Sequence, residues 1–160
     1  MYGAGDGKIG QIVHDDRPFK QAKTKVGKAT RKKLAEGTTG LETLVSKVRQ
    51  TAVQRKYVTG LDKRHLPCPS PHSALNTLIQ GAGAVVMKQA LIDFDQRAPA
   101  GGWGYCANVH DEVQLEARPD LTKDIAELMV DCIQSTQQKL SLRCQMNGSY
   151  SIGNNWSETH

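Results

Sequence analysis

The sequence has 160 residues, enough for one hydrophobic core or two small ones. Hydrophobic residues make up 38% and aromatics 5%, with a mean hydropathy of -0.50, and no apolar run approaches the length of a membrane span. That composition argues against a membrane-spanning helix and suits a surface-rich part of something larger as well as a small globular protein; the net charge of +5 points mildly to a polyanionic partner.

The charge is unevenly spread. From Arg17 to Arg64 there are fourteen basic residues against Glu36, Glu42 and Asp62, so the rest of the chain is net acidic. Such a stretch reads either as a solvated helical surface or as a phosphate-facing one. Cys68, Cys106, Cys132 and Cys144 are far apart and form no C-x-x-C pair, which argues against a zinc site or a redox pair. With no signal peptide, they read as reduced thiols, and the expected location is cytoplasmic.

In chain order, the glycine-rich start gives way to a short helix from about Asp6, a candidate N-cap. Residues Phe19 to Ala35 predict a basic helix with a weak apolar stripe, broken by Gly37 to Gly40. Leu41, Leu44, Val45, Val48 and Ala52 recur at helical spacing. Tyr57 to Leu66 predicts a small hairpin around Gly60 to Lys63, and Pro67, Pro69 and Pro71 then mark a boundary. A long helix is expected from Ser70 or Pro71 to about Arg97, then a loop to Gly104. Tyr105 to Ala117 is strand-like on both sides of a polar centre, Leu121 to Leu140 is an amphipathic helix, and a short terminal strand or coil follows. The expected class is mixed α/β (α+β).

The long helix predicts two faces. Leu75, Leu78, Ile79, Ala82, Val85 and Val86 are expected to be buried. His72, Asn76 and Gln80, four apart, form one polar stripe, with the small residues Gly81 and Gly83 beside it to admit a ligand backbone. Asn and Gln donate and accept hydrogen bonds, and the minor groove offers acceptors in every base pair, so the stripe suits duplex DNA held without sequence choice. Alone, it reads more readily as an exposed polar face.

Val109-His110-Asp111-Glu112-Val113 puts two carboxylates at the tip of a tight hairpin. Adjacent carboxylates repel, so they call for solvent or a cation. A solvated turn is one reading. The other is a Mg²⁺ site, since that ion prefers one or two carboxylates plus substrate phosphates.

Three blocks together resemble the family A DNA polymerases, most closely the replicases of podovirus-type phages. Tyr2 to Gly10 (YGAGDGKIG) is similar to the end of the fingers helix, Ser70 to Gly81 (SPHSALNTLIQG) to the primer–template helix, and Val109 to Gln114 (VHDEVQ) to the palm motif called motif C. Asn155-Trp156 with His160 also resembles the phage enzymes' ending.

The resemblance implies fingers-type helices over 1–69 and a palm fragment over 70–160, the latter with long helix, antiparallel hairpin, helix and terminal strand. It implies templated addition of deoxynucleotides to a primer 3′-hydroxyl. Asp111 would bind two Mg²⁺ ions in the complete enzyme, Glu112 would support them, and His110 would lie against the primer terminus. His72, Asn76 and Gln80 would contact the DNA, Tyr2 would stack near the templating base, and Arg64 would contact the backbone. Lys63 and Pro69 depart from the family pattern, in which a glycine and a basic residue are frequent.

The family's second metal-binding aspartate and triphosphate-binding fingers helix have no counterpart here. The expectation is therefore a chain inactive alone that joins a companion polymerase chain carrying the N-terminal part, with primer–template DNA and dNTP as partners, no membrane, and the host cytoplasm as location if phage-encoded. The alternatives are a non-catalytic duplex-binding module derived from a polymerase, and a phage RNA polymerase, disfavoured because its motif reads His-Asp-Ser where this chain has Glu112.

Overall fold

The computed structural model describes residues 5–13 and 20–159, the side chains of 20–22 excepted. The fold is mixed and helix-dominated, with two separate two-stranded antiparallel sheets. The chain divides into two compact units, Met1–Gly81 and Ala82–His160.

In the first unit, α1 (Asp6–Val13) packs on α2 (Lys20–Gly37). The sequence shows no strong apolar stripe on α2, and the reason is that glycines make the contact. A Cβ added at Gly10 would lie 1.6 Å from the Lys23 carbonyl oxygen, and one at Gly27 would lie 1.7 Å from that of Asp6. Backbone therefore meets backbone at this crossing. Arg31 reaches across to the Asp6 carboxylate at 3.0 Å, and Asp6 is the first residue of α1, not its cap.

Gly40, at φ 85, turns the chain into α3 (Leu41–Arg55), which ends at Lys56 with φ 62 and the Lys56 amide donating to the Ala52 carbonyl at 3.0 Å. β1 (Tyr57–Thr59) and β2 (His65–Pro67) form the expected hairpin, with Val58 opposite Leu66. Ala52, Val58, Cys68 and Ala74 are buried together, with Val48, Leu66 and Leu78 packed around them.

Pro71–Ser73 is a single 3₁₀ turn, with Pro71 in the first-turn position it favours. It leads into α4 (Ala74–Arg97). The apolar positions of α4 that face the two cores recur every four residues. Ala74 and Leu78 serve the first core; Val86 is buried, and Ala90 and Phe94 serve the second. Ile79, expected inside, is 41% exposed because the row Ala74–Leu78 takes the inward face and Ile79 lies about 100° further round.

In the second unit, β3 (Trp103–Val109) pairs with β4 (Glu112–Ala117), and α5 (Thr122–Lys139) packs on β4. The core is Ala90, Phe94, Ile125, Met129 and Cys132, against which Val113, Leu115 and Ala117 of β4 are packed. Their spacing of two fixes which face of the strand turns inward. Phe94, Trp103 and Tyr105 meet edge-to-face, with ring centroids 4.9 to 6.0 Å apart, and anchor the base of the hairpin to α4. The Trp103 indole N–H donates to the Pro99 carbonyl at 2.8 Å.

The expected terminal strand does not form. Residues after α5 run without a strand to α6 (Trp156–Thr159). This segment has no strand partner among the described residues, and it is rich in polar residues and glycine, which favour turns over pairing. Glu158 closes it locally, accepting from the Asn154 amide at 2.7 Å and the Asn155 side chain at 2.8 Å.

Candidate functional site

The β3–β4 turn is two residues long, since Val109 pairs with Glu112 and only His110 and Asp111 lie between them. Two-residue hairpins match the strand twist when a turn residue has positive φ, and His110 supplies it at φ 57. The turn therefore places Asp111 at the outermost point of the hairpin. Both His110 and Asp111 are exposed. Glu112 is half-buried and accepts a hydrogen bond from the Gln114 Nε2, two residues along the same strand face. That bond fixes one of the two adjacent carboxylates and leaves Asp111 at the apex.

The hairpin is steered from its base. Register slips between Tyr105 and Ala107, so Cys106 is an extra residue in β3, a bulge of the sort that sharpens twist and re-aims a strand end. A shallow groove of about 560 Å³ lies beside it, lined in part by Leu91, Ile92, Tyr105 and Ala107. Its walls carry no member of the predicted site.

The chemistry of the tip suits a hard cation. Asp111 and Glu112 offer carboxylate oxygens of the kind Mg²⁺ takes. Among the described residues, however, no group of three or more His, Cys, Asp or Glu side chains could hold a metal. The donor type fits and the donor number is short.

The DNA-contact candidates lie in the first unit. Because Pro71–Ser73 is a 3₁₀ turn, the α-helical spacing of the stripe strictly joins Asn76 and Gln80, with His72 one tighter turn before them. His72 and Gln80 are exposed and Asn76 is half-buried. The Asn76 Oδ1 is shielded from solvent and has no hydrogen-bond partner among the described residues.

The two glycines beside the stripe differ. A Cβ at Gly81 would lie 2.5 Å from the Leu66 Cδ1, so that space is filled by the β1–β2 hairpin rather than kept for a ligand. Gly83 has nothing within 4 Å and is the open position. The same Leu66 contact brings Arg64's hairpin against α4. The Arg64 Nε is paired with Asp62, and the Arg64 amide donates to the same carboxylate at 3.2 Å. Partial loss of solvent pushes the Asp62 carboxyl up, but the bonds from Arg64 outweigh it and hold it below the usual carboxylate range. Lys63, the residue before Arg64, has φ 66.

Tyr2 lies outside the described residues. All four cysteines are free, and no described helix is long and apolar enough to cross a membrane. Sequence reading missed the Gly10 and Gly27 crossing and the Cys106 bulge; an isolated glycine inside each helical stretch was the available signal for the former.

The sequence model described as DNA polymerase family A matches residues 1–158. The DNA-directed DNA polymerase of Enterobacteria phage T3 is 32% identical over 183 residues, covering 100% of this chain and 25% of that protein. That of Escherichia phage T7 is 33% identical over 186 residues, with the same coverages. Among solved structures, the POL domain of Pol1 from M. smegmatis, in complex with DNA primer-template and dNTP, superposes with a TM-score of 0.63 at 20% identity, over 84% of this chain and 25% of that one. The chain thus spans about a quarter of the length of the curated relatives it matches.

Proposed function

The chain belongs to DNA polymerase family A, and on that premise we propose that it is the part of a phage-type replicative DNA polymerase that presents one catalytic aspartate and grips the primer–template. The carrying observation is the two-residue turn that sets Asp111 at the apex of a hairpin clamped by Phe94, Trp103 and Tyr105.

In this reading residues 1–69 are fingers and 70–160 are palm. Asp111 would hold Mg²⁺, Glu112 would stabilise the loop beside it through Gln114, and His110 would meet the primer terminus. Two bound Mg²⁺ ions would supply charge neutralisation at the attacking and leaving oxygens of nucleotide transfer. His72, Asn76 and Gln80 would hold the duplex, Arg64 a backbone phosphate, and Tyr2 the templating position. Asp111 and Glu112 are too few ligands for two ions, so in this reading a further carboxylate and the triphosphate-binding residues would be supplied by the rest of a polymerase, on the same or a companion chain. Primer–template DNA and dNTP are the partners, and the host cytoplasm is the place of action.

The test is primer extension with Mg²⁺ and dNTPs by this chain combined with the rest of a polymerase. The Asp111→Ala variant should lose activity on the order of a thousandfold while duplex affinity stays within about twofold. Unaltered synthesis by that variant defeats the catalytic assignment, and robust synthesis by the 160-residue chain alone defeats the need for further ligands.

A further inference from the structure

We infer that the outward face of α2 is a second nucleic-acid surface, on which Lys25, Lys28, Lys32 and Lys33 track the phosphate backbone of a DNA strand regardless of sequence; this rests on the reading above that the chain handles DNA. Helix α2 carries seven basic residues and one acidic one, Glu36. Its inner face is committed, because Gly27 meets the Asp6 carbonyl, the Lys23 carbonyl meets Gly10, and Arg31 pairs with Asp6.

The four lysines lie away from that face. At about 100° per residue, Lys25, Lys28, Lys32 and Lys33 fall within an arc of roughly 140°, centred opposite Gly27 and Thr30. All four are exposed. Lys32 has Glu36 at 3.7 Å, but that pair is 77% and 63% exposed and holds its charge only loosely. Like charges three and four residues apart destabilise a helix, and among the described residues Glu36 is the one carboxylate paired with this cluster, so it calls for an anion from outside.

The pattern of the arc selects the anion. Lys25, Lys28 and Lys32 rise about 4.5 and 6 Å along the axis, a span of roughly 10 Å. One strand of a duplex places a phosphate about every 3.4 Å along its axis, so the row meets about three of them. An acidic protein partner needs an apolar or aromatic anchor at its centre, and none lies on this arc between Lys25 and Glu36, where the remaining residue is Ala29. A membrane surface needs an apolar face opposite the lysines, and α1 occupies that side. Without an aromatic platform the bases are not stacked, and the contact is to the backbone alone.

The experiment measures binding of the 160-residue chain to a labelled duplex of two unrelated sequences, from roughly 50 to 200 mM salt. The triple variant Lys25→Gln, Lys28→Gln, Lys32→Gln should lower the slope of log affinity against log salt by about 2 to 3, with an affinity loss on the order of a hundredfold, equal for both sequences. The triple Lys→Arg variant should restore both, which separates charge from folding. An unchanged slope in the Gln variant overturns the surface while leaving primer extension, and hence the polymerase reading, untouched. Overturning also follows if an oligoglutamate peptide competes as strongly as DNA, or if the loss depends on sequence. Unaltered primer extension by Asp111→Ala, with the salt slope as expected, refutes the catalytic assignment alone.

Discussion

Lys139 of α5 places its Nζ 2.5 Å from the Oδ1 of Asp93 on α4, where Asp93 is only 1% exposed. The buried carboxylate is also held by the Gln89 Nε2 at 2.9 Å and the Ser135 hydroxyl at 3.3 Å, so it is fully engaged among the residues that pack α5 onto α4. Burial pushes its carboxyl up, but the bonds from Lys139 and Gln89, with the Lys139 charge and Ser135, outweigh that and leave it below the value of 3.8 for a free aspartate. A folded value below the unfolded one contributes stability that is complete above the unfolded value and is lost as pH falls through the folded one.

Asp93→Asn should therefore destabilise the second unit by about 1–3 kcal/mol at neutral pH. The difference between parent and variant should shrink as pH drops below about 4. Urea unfolding at pH 7 and pH 3 measures both. A constant gap between the two pH values would refute the linkage.

Gly10→Ala and Gly27→Ala should each destabilise the α1–α2 pair by at least about 2 kcal/mol, because the obstructing atoms are backbone carbonyls that cannot rotate away. Amide hydrogen exchange reads this locally: protection should fall across residues 20–37 and hold in α5. Gly83→Ala, with nothing to meet, should instead stabilise α4 by about 0.5–1 kcal/mol.

Lys63 and His110 hold left-handed φ values of 66 and 57. Lys63→Gly should raise stability by about 0.5–1 kcal/mol, and His110→Gly by less, since histidine tolerates this region better than lysine. In the assembled polymerase His110→Gly should still lower primer extension, since it removes the imidazole. A stability loss in both variants would mean that the two φ values carry no strain.

Asn76→Leu should leave the free chain as stable or stabilise it by up to about 1–2 kcal/mol, because the Oδ1 is shielded and unpartnered. The same change should weaken duplex binding by roughly tenfold, consistent with the loss of a groove contact. Retained affinity would remove Asn76 from the DNA-contact set.

Much of this was readable from residue order. Proline and glycine punctuation located the β1–β2 turn, the start of α4 and the break before α3, because those residues act on local backbone angles alone. The His110–Asp111 turn was legible for the same reason: β-formers flank a short polar centre. What periodicity could not give was pairing in space. Ile79 was expected inside because an apolar residue beside Leu78 looks continuous with its face, whereas the row of four through Ala74 and Leu78 won the interior. A buried Asp93 is invisible until Lys139, on another helix, is brought to it. Of the strand or coil expected at the end, the coil forms, because strand propensity states nothing about whether a neighbouring edge exists.

The two-residue turn leaves natural variation a single freedom at the apex of this hairpin: side-chain identity. An added residue taken up by the strand pairing, rather than by a longer loop, would slide one strand past the other and roll Val113, Leu115 and Ala117 out into water, exchanging the whole inner lining for its polar alternates. Cys106 shows where length can be absorbed instead, since the ladder already carries its surplus residue at that point, away from the apex. Loop grafts or tags between β3 and β4 would therefore preserve the unit's packing only where the added length stays in the loop and the Val109–Glu112 pair holds.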